Sequence, residues 1–354
     1  MENERIESDF FQGCLLGGAV GNALGVYKLQ TKKSTGFDDK IRFGGLMQMA
    51  LFTAEGLLRA IHRAKMHGTN GTFAEIIYES YQRWLKTQRV SYNDLVHLPQ
   101  NDGWLVRRSE LYHKSVQLKN TVAALKVGKP GDWAHPLNHH DDFEGVCRVF
   151  PVGLMFPGDI KSSFKVGAEA CALTHGGREA VLCAGLLAAV ISGLVTETTL
   201  TETVSKALTE LQLWPGHEKV QGAVVSALYF LDDLRELPAE QAQTEITQFT
   251  ARFGKSIQAQ DILAYSIFSL LYHPDDFRAA VETSLMYEAA PQATGMIVGA
   301  VAGLINGLHA IPAEWSSALK CSDIVLQIGS DLLTGIKGDI YTIDKEWAEK
   351  YPGY

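Results

Sequence analysis

Phe11-Gln12-Gly13-Cys14-Leu15-Leu16-Gly17-Gly18-Ala19-Val20-Gly21-Asn22-Ala23-Leu24-Gly25 is an apolar stretch with a glycine at every fourth position from Gly13 to Gly25. Gly295, Gly299, Gly303 and Gly307 repeat the spacing near the other end of the chain. Positions four apart share one face of a helix, so each row predicts a helix carrying a stripe without side chains. Glycine inside a helix costs roughly 0.5–1 kcal/mol relative to alanine. Close approach of two helix backbones is the compensation that the two rows imply.

Helical periodicity continues outward from these rows. Ser8 is the candidate N-cap of a helix over 9–25. Further helices are predicted over 47–67, 72–87, 105–126, 162–173, 178–195, 201–211, 218–234, 239–253, 259–272, 275–287, 294–308, 313–318 and 323–334, with a short apolar element over 145–155. Polar or irregular stretches fall at 30–43, 91–102 and 128–144. No run of β-branched alternation is bounded by hairpin turns, and no repeat of fixed period or low-complexity linker divides the chain. The expectation is an all-α fold, one multi-helix domain over residues 1–354.

Bulk composition bounds the function. The chain has 354 residues, 46% hydrophobic and 20% charged, enough for a sizeable core. A net charge of −8 without a basic stripe argues against nucleic acid. Lys32-Lys33 and Arg107-Arg108 read as solvated surface. Cys14, Cys147, Cys171, Cys183 and Cys321 have no CxxC spacing and suit free thiols in a reducing cytoplasm. The start, MENERIESDF, has no signal-peptide pattern. The run Ala180–Val195 is interrupted by Gly185, Ser192 and Gly193, and reads as a buried core helix rather than a membrane span.

With these pieces in order, the sequence resembles the ADP-ribosylglycohydrolase family, of the type that includes dinitrogenase-reductase-activating glycohydrolases. The opening glycine helix is similar to the family's first helix. Gln48–Leu58 is similar to the helix after its first metal motif. Asn138 and Gly145–Leu154 resemble its substrate loop and following helix, and Thr174-His175 its TH pair. Thr294-Gly295, Ala310-Ile311-Pro312 and Trp315 resemble its C-terminal signature. The likeness implies an all-α protein that removes ADP-ribose with two magnesium ions, held by Asp-Asp and Asp-x-Asp motifs and an acid of the first loop. Hard Mg²⁺ takes oxygen ligands, and a two-ion pair needs several negative charges.

Aligned on those motifs, the metal positions fall on Leu29, Gly45, Leu46, Ala290, Gln292 and Thr294, and Asn22 follows Gly21 where the family has Gly-Asp. Only Thr294 keeps the family's residue type, so the expectation is that no magnesium pair is bound and that no cofactor is used. The substrate loop reads Asn138-His139-His140-Asp141-Asp142-Phe143-Glu144. Its carboxylates would repel a pyrophosphate, at about 1 kcal/mol per pair of unit charges 4 Å apart in water and about 4 at an effective dielectric of 20. ADP-ribose binding is therefore disfavoured. These loop residues become candidates for a partner-facing acidic surface.

Other readings carry less. His139-His140-Asp141-Asp142 holds competent zinc ligands, but adjacent residues rarely face one ion. Thr174-His175 reads as a structural pair in preference to a catalytic base. Cys147 has no argued His partner for nucleophilic work. Asp38-Asp39 reads as exposed turn surface. The glycine rows lack a GxGxxG after a strand and so do not imply a nucleotide cradle. The favoured expectation is a catalytically inactive relative acting as a protein-binding module in the cytoplasm. Its partner would be basic, with an ADP-ribosyltransferase toxin, neutralised in the manner of an immunity protein, as the candidate the resemblance implies, and with neither nucleic acid nor membrane involved. The alternative is a divergent hydrolase with a rearranged or metal-free site.

Overall fold

The two glycine rows meet in the computed structural model, which describes residues 5–33, 40–68, 72–90, 103–113, 118–196, 199–338 and 345–353. Helix α1 (Ser8–Thr31) runs antiparallel to a late helix, Pro291–Asn306, which becomes α14 in chain order. A Cβ built at Gly13, Gly17 or Gly21 would fall on the carbonyl oxygen of Gly303, Gly299 or Gly295 respectively. At Gly25 it would fall on the backbone of Gln292. The backbones are in direct contact, which only hydrogen at Cα permits. Gly307 lies beyond the stripe: it caps α14 at φ 80°, and its Cα faces the Asp9 carboxylate.

Between these two helices in sequence come α2 (Gly45–His67), α3 (Phe73–Thr87), two 3₁₀ turns (Leu105–Arg107 and Ser109–Leu111) and α4 (Lys119–Lys126). Then follow α5 (Glu144–Cys147), α6 (Phe150–Met155), α7 (Ile160–Ala172) and α8 (Arg178–Thr196). The series continues with α9 (Leu200–Leu211), α10 (Glu218–Arg235), α11 (Ala239–Phe253), α12 (Ala259–Tyr272) and α13 (Phe277–Ser284). After α14 come α15 (Ala313–Ala318), α16 (Ser322–Lys337) and α17 (Lys345–Lys350). Among the described residues there is no strand, only isolated bridges at Ile41–Leu319 and Asp142–Gln258. The fold is all-α.

Helix α8 is long and apolar enough to cross a membrane by composition, but Ala180 to Val195 are buried within the protein. It packs against α5, α6, α7, α9, α10, α12 and α14. Gly185 lies against the Phe164 ring and Gly167 against Ala188, which lets α7 and α8 approach closely. The buried apolar side chains of the described residues form one connected cluster.

Some expectations need correcting. The predicted 105–126 helix is two 3₁₀ turns and a short helix, with residues 114–117 outside the described set. The polar run Arg107-Arg108-Ser109-Glu110 breaks the apolar face, and Arg108 turns extended to pair with Glu110 and Asp323. Ser8 is the first helical residue rather than the cap, and α1 continues past Gly25 to Thr31. The 145–155 element divides into α5 and α6, with Pro151 at the start of α6. Side-chain caps do appear where Asp159, Thr199 and Asp276 accept the amides of Ser162, Glu202 and Ala279.

Candidate functional site

Asn22, fully buried in α1, ties together the starts of two helices. Its Oδ1 accepts the Gly44 amide just ahead of α2 at 2.7 Å, and its Nδ2 donates to the Gln292 carbonyl in the first turn of α14 at 3.0 Å. The first turns of α2 and α14 contain no acidic residue. Gly45, Leu46 and Ala290 are buried there and offer no side-chain donor atom. The Thr294 hydroxyl is buried and donates to the Ser284 carbonyl at 2.7 Å. Gln292 is buried with an Oε1 that has no hydrogen-bond partner. One turn beyond Gly25, Lys28 Nζ donates to the Leu285 carbonyl at 2.5 Å, and Leu29 is half-buried. Burial lowers the Lys28 pKa, with Glu288 opposing.

A second polar region lies where the 131–144 segment meets α4, α5 and the link between α7 and α8. Asn138 is structural: its Nδ2 donates to the Thr174 carbonyl at 2.8 Å, and its Oδ1 accepts the amides of His140 and Gly176. His139 and His140 are exposed. Asp141 is half-buried at the start of α8, where its Oδ1 accepts the Ala180 amide at 3.4 Å. Burial and the neighbouring Glu179 charge raise its pKa.

Asp142 and Glu144 face inward and are buried, which corrects the expectation that both lie on an acidic surface facing a partner. Phe143 has helical dihedrals and Glu144 opens α5, so a tight turn closed by the Glu144 amide on Asp142 Oδ1 brings the two carboxylates together. Asp142 accepts Asn120 Nδ2 at 2.6 Å and the Glu144 amide at 2.9 Å. Burial raises its carboxyl, but contact with His175 and these bonds outweigh that and hold the pKa at about 2. Glu144 Oε2 accepts both the amide and the hydroxyl of Thr121, at 2.9 and 2.8 Å. Burial raises Glu144, against the Thr121 amide, and the Asp142 charge adds to the rise.

His175 completes the group. Its Nδ1 lies 2.8 Å from Thr174 Oγ1, which also accepts Arg148 Nη2 at 2.6 Å. Arg148 stacks over the Tyr81 ring at 4.6 Å. His175 Nε2 is 3.3 Å from Asp142 Oδ1 and 4.0 Å from Glu144 Oε2, yet completes no hydrogen bond. The ring fits because residue 145 is glycine, whose added Cβ would meet Cys171 Sγ at 2.6 Å and His175 Cγ at 2.9 Å. Burial lowers the His175 pKa, against the neighbouring Asp142 carboxylate, which raises it. Ligand atoms of Asp142, Glu144 and His175 all lie within 4.8 Å of one another, a set able to hold a metal ion.

A profile of the ADP-ribosylglycohydrolase family matches residues 3–341. The chain belongs to the ADP-ribosylglycohydrolase family. A solved structure described as an ADP-ribosylglycohydrolase-related protein complex is similar, at 19% identity and a TM-score of 0.59, covering 94% of this chain and 99% of that one. At that identity the likeness concerns the fold. No curated protein matches the sequence.

Within this ADP-ribosylglycohydrolase fold the structure separates residues that the sequence groups together. Of the His139-His140-Asp141-Asp142 run, only Asp142 joins the inward cluster; His175 and Glu144 join it instead. The Asp-x-Glu spacing and the Thr-His pair are the available signals, but neither shows that they meet across the 30 residues between Glu144 and His175. Cys147 is buried and its thiol is pushed well up by burial, which disfavours a nucleophilic thiolate. Asp38-Asp39 lies outside the described residues.

Proposed function

We propose that this ADP-ribosylglycohydrolase-fold protein does not hydrolyse ADP-ribosyl linkages and acts as a protein-binding module. The observation that carries the reading is the convergence of α2 and α14 on Asn22 with no carboxylate in either first turn. The residues there do not fit a magnesium pair. One neutral amide oxygen on Gln292, and a Thr294 hydroxyl already donated to Ser284, replace the several anionic oxygens that two hard cations require. A half-buried lysine, Lys28, bonded between α1 and the segment before α14, further disfavours cations nearby.

The partner class is basic, since the protein carries a net charge of −8. An ADP-ribosyltransferase toxin, occluded in the manner of an immunity protein, is the partner that the family's chemistry suggests. The outer edge of the 131–144 segment, with exposed Asp132, His139 and His140 and half-buried Asp141, is the surface offered. A reducing cytoplasm suits its five free thiols. Calorimetry with a basic transferase is expected to show saturable binding. No heat at about 50 µM of each protein would refute the partner assignment.

The Asp142–Glu144–His175 cluster favours a second reading, a divergent hydrolase with a relocated site. Thermal unfolding separates the two. A hydrolase is stabilised by ADP-ribose through mass action, whereas the binding module shows no shift with ADP-ribose and Mg²⁺.

A further inference from the structure

A buried imidazole nitrogen without a partner is destabilising, because the hydration it loses on burial is not replaced. At His175 that nitrogen faces two carboxylates without completing a bond to either. A cation among the three atoms would turn each of these contacts into a ligand bond. We propose that Asp142 Oδ1, Glu144 Oε2 and His175 Nε2 form a buried three-ligand site for a zinc-class divalent ion. The ion staples the segment entering α5 to the link between α7 and α8. The inference is independent of whether the protein hydrolyses ADP-ribose or binds a toxin.

Geometry supports the assignment. Ligand bonds of about 2.0 Å in a tetrahedron place donor atoms about 3.3 Å apart. The Asp142–His175 separation is 3.3 Å and the Glu144–His175 separation 4.0 Å, so a carboxylate oxygen of each residue lies close to an ion held at Nε2. The surrounding contacts already orient each ligand. Thr174 Oγ1 stands 2.8 Å from Nδ1 and can accept its proton, which leaves the Nε2 lone pair for the metal. Thr121 holds Glu144 through two bonds, while Asn120 and the Glu144 amide hold Asp142. An imidazole ligand favours first-row transition ions over magnesium. Arg148 opposes the ion by charge, but it reaches the other edge of the ring, bonded to Thr174 Oγ1 and the Ala170 carbonyl.

The test uses tag-free full-length protein dialysed against chelator, titrated with Zn²⁺ alone by calorimetry and with Co²⁺ by visible absorption. The expected result is one equivalent bound with Kd about 1 µM or tighter, tetrahedral ligand-field bands with Co²⁺, and no response to Mg²⁺. Glu144→Gln and His175→Ala are each expected to weaken Zn²⁺ binding at least about tenfold. A His135→Ala/His139→Ala variant, which removes exposed imidazoles, is expected to bind unchanged. Absence of stoichiometric Zn²⁺ binding by the folded wild type overturns the proposal, whatever the variants do. So does equal binding by Glu144→Gln, whose amide keeps the side chain's size and therefore serves if His175→Ala fails to fold.

Discussion

Asn22 uses both ends of its amide on backbone groups of two different helices, the Gly44 N–H and the Gln292 carbonyl. Removing the side chain leaves a donor and an acceptor without partners in a largely buried place. Asn22→Ala is therefore expected to lower stability by about 2–4 kcal/mol in urea unfolding; a loss below about 0.5 kcal/mol would show that the helix starts do not depend on this residue. His175 gives a pH signature at the same scale. Burial lowers its pKa, so below the unfolded-state value of about 6.5 the unfolded chain takes up a proton that the folded chain resists. The metal-free protein is expected to lose stability as pH falls from about 7.5 to about 5.5. His175→Gln is expected to flatten that part of the profile, and an unchanged slope of urea midpoints against pH would assign the loss to other groups.

At the scale of elements, the α1–α14 pair shows how far a pattern of small residues reaches. The spacing of Gly13, Gly17, Gly21, Gly295, Gly299 and Gly303 was enough to infer two helices in backbone contact. The structure supplies the pairing, with Gly17 on Gly299 and Gly21 on Gly295. Gly17→Ala would drive its methyl into the Gly299 carbonyl, which no rotamer change relieves. It is expected to destabilise by about 2–4 kcal/mol, read as a lower urea midpoint; a neutral result would mean that the two helices can separate at little cost. The core helix α8 was equally plain, because an apolar run of that length has few other homes in a folded chain. The 105–126 segment was not. Its apolar residues mimic a helical face, while the ion pairs that turn Arg108 away come from Glu110 and from Asp323, far along the chain.

Across the whole molecule, what could be read early was whatever depends on local spacing, and what could not depends on chain segments meeting. The absence of acids at the starts of α2 and α14 is a local fact, visible residue by residue. That both starts converge on Asn22 is a tertiary fact. The 138–144 loop is only partly legible in the sequence for the same reason. Its carboxylates look like surface until Thr121, Asn120 and His175 are brought against Asp142 and Glu144.

The central claim is that the scaffold of this family persists here without the anionic oxygens its chemistry employs. Incubating the purified protein with an ADP-ribosylated arginine conjugate and Mg²⁺, and following free ADP-ribose, tests it most directly. Release no faster than in buffer alone is expected. Catalytic turnover that disappears when Mg²⁺ is chelated would contradict it.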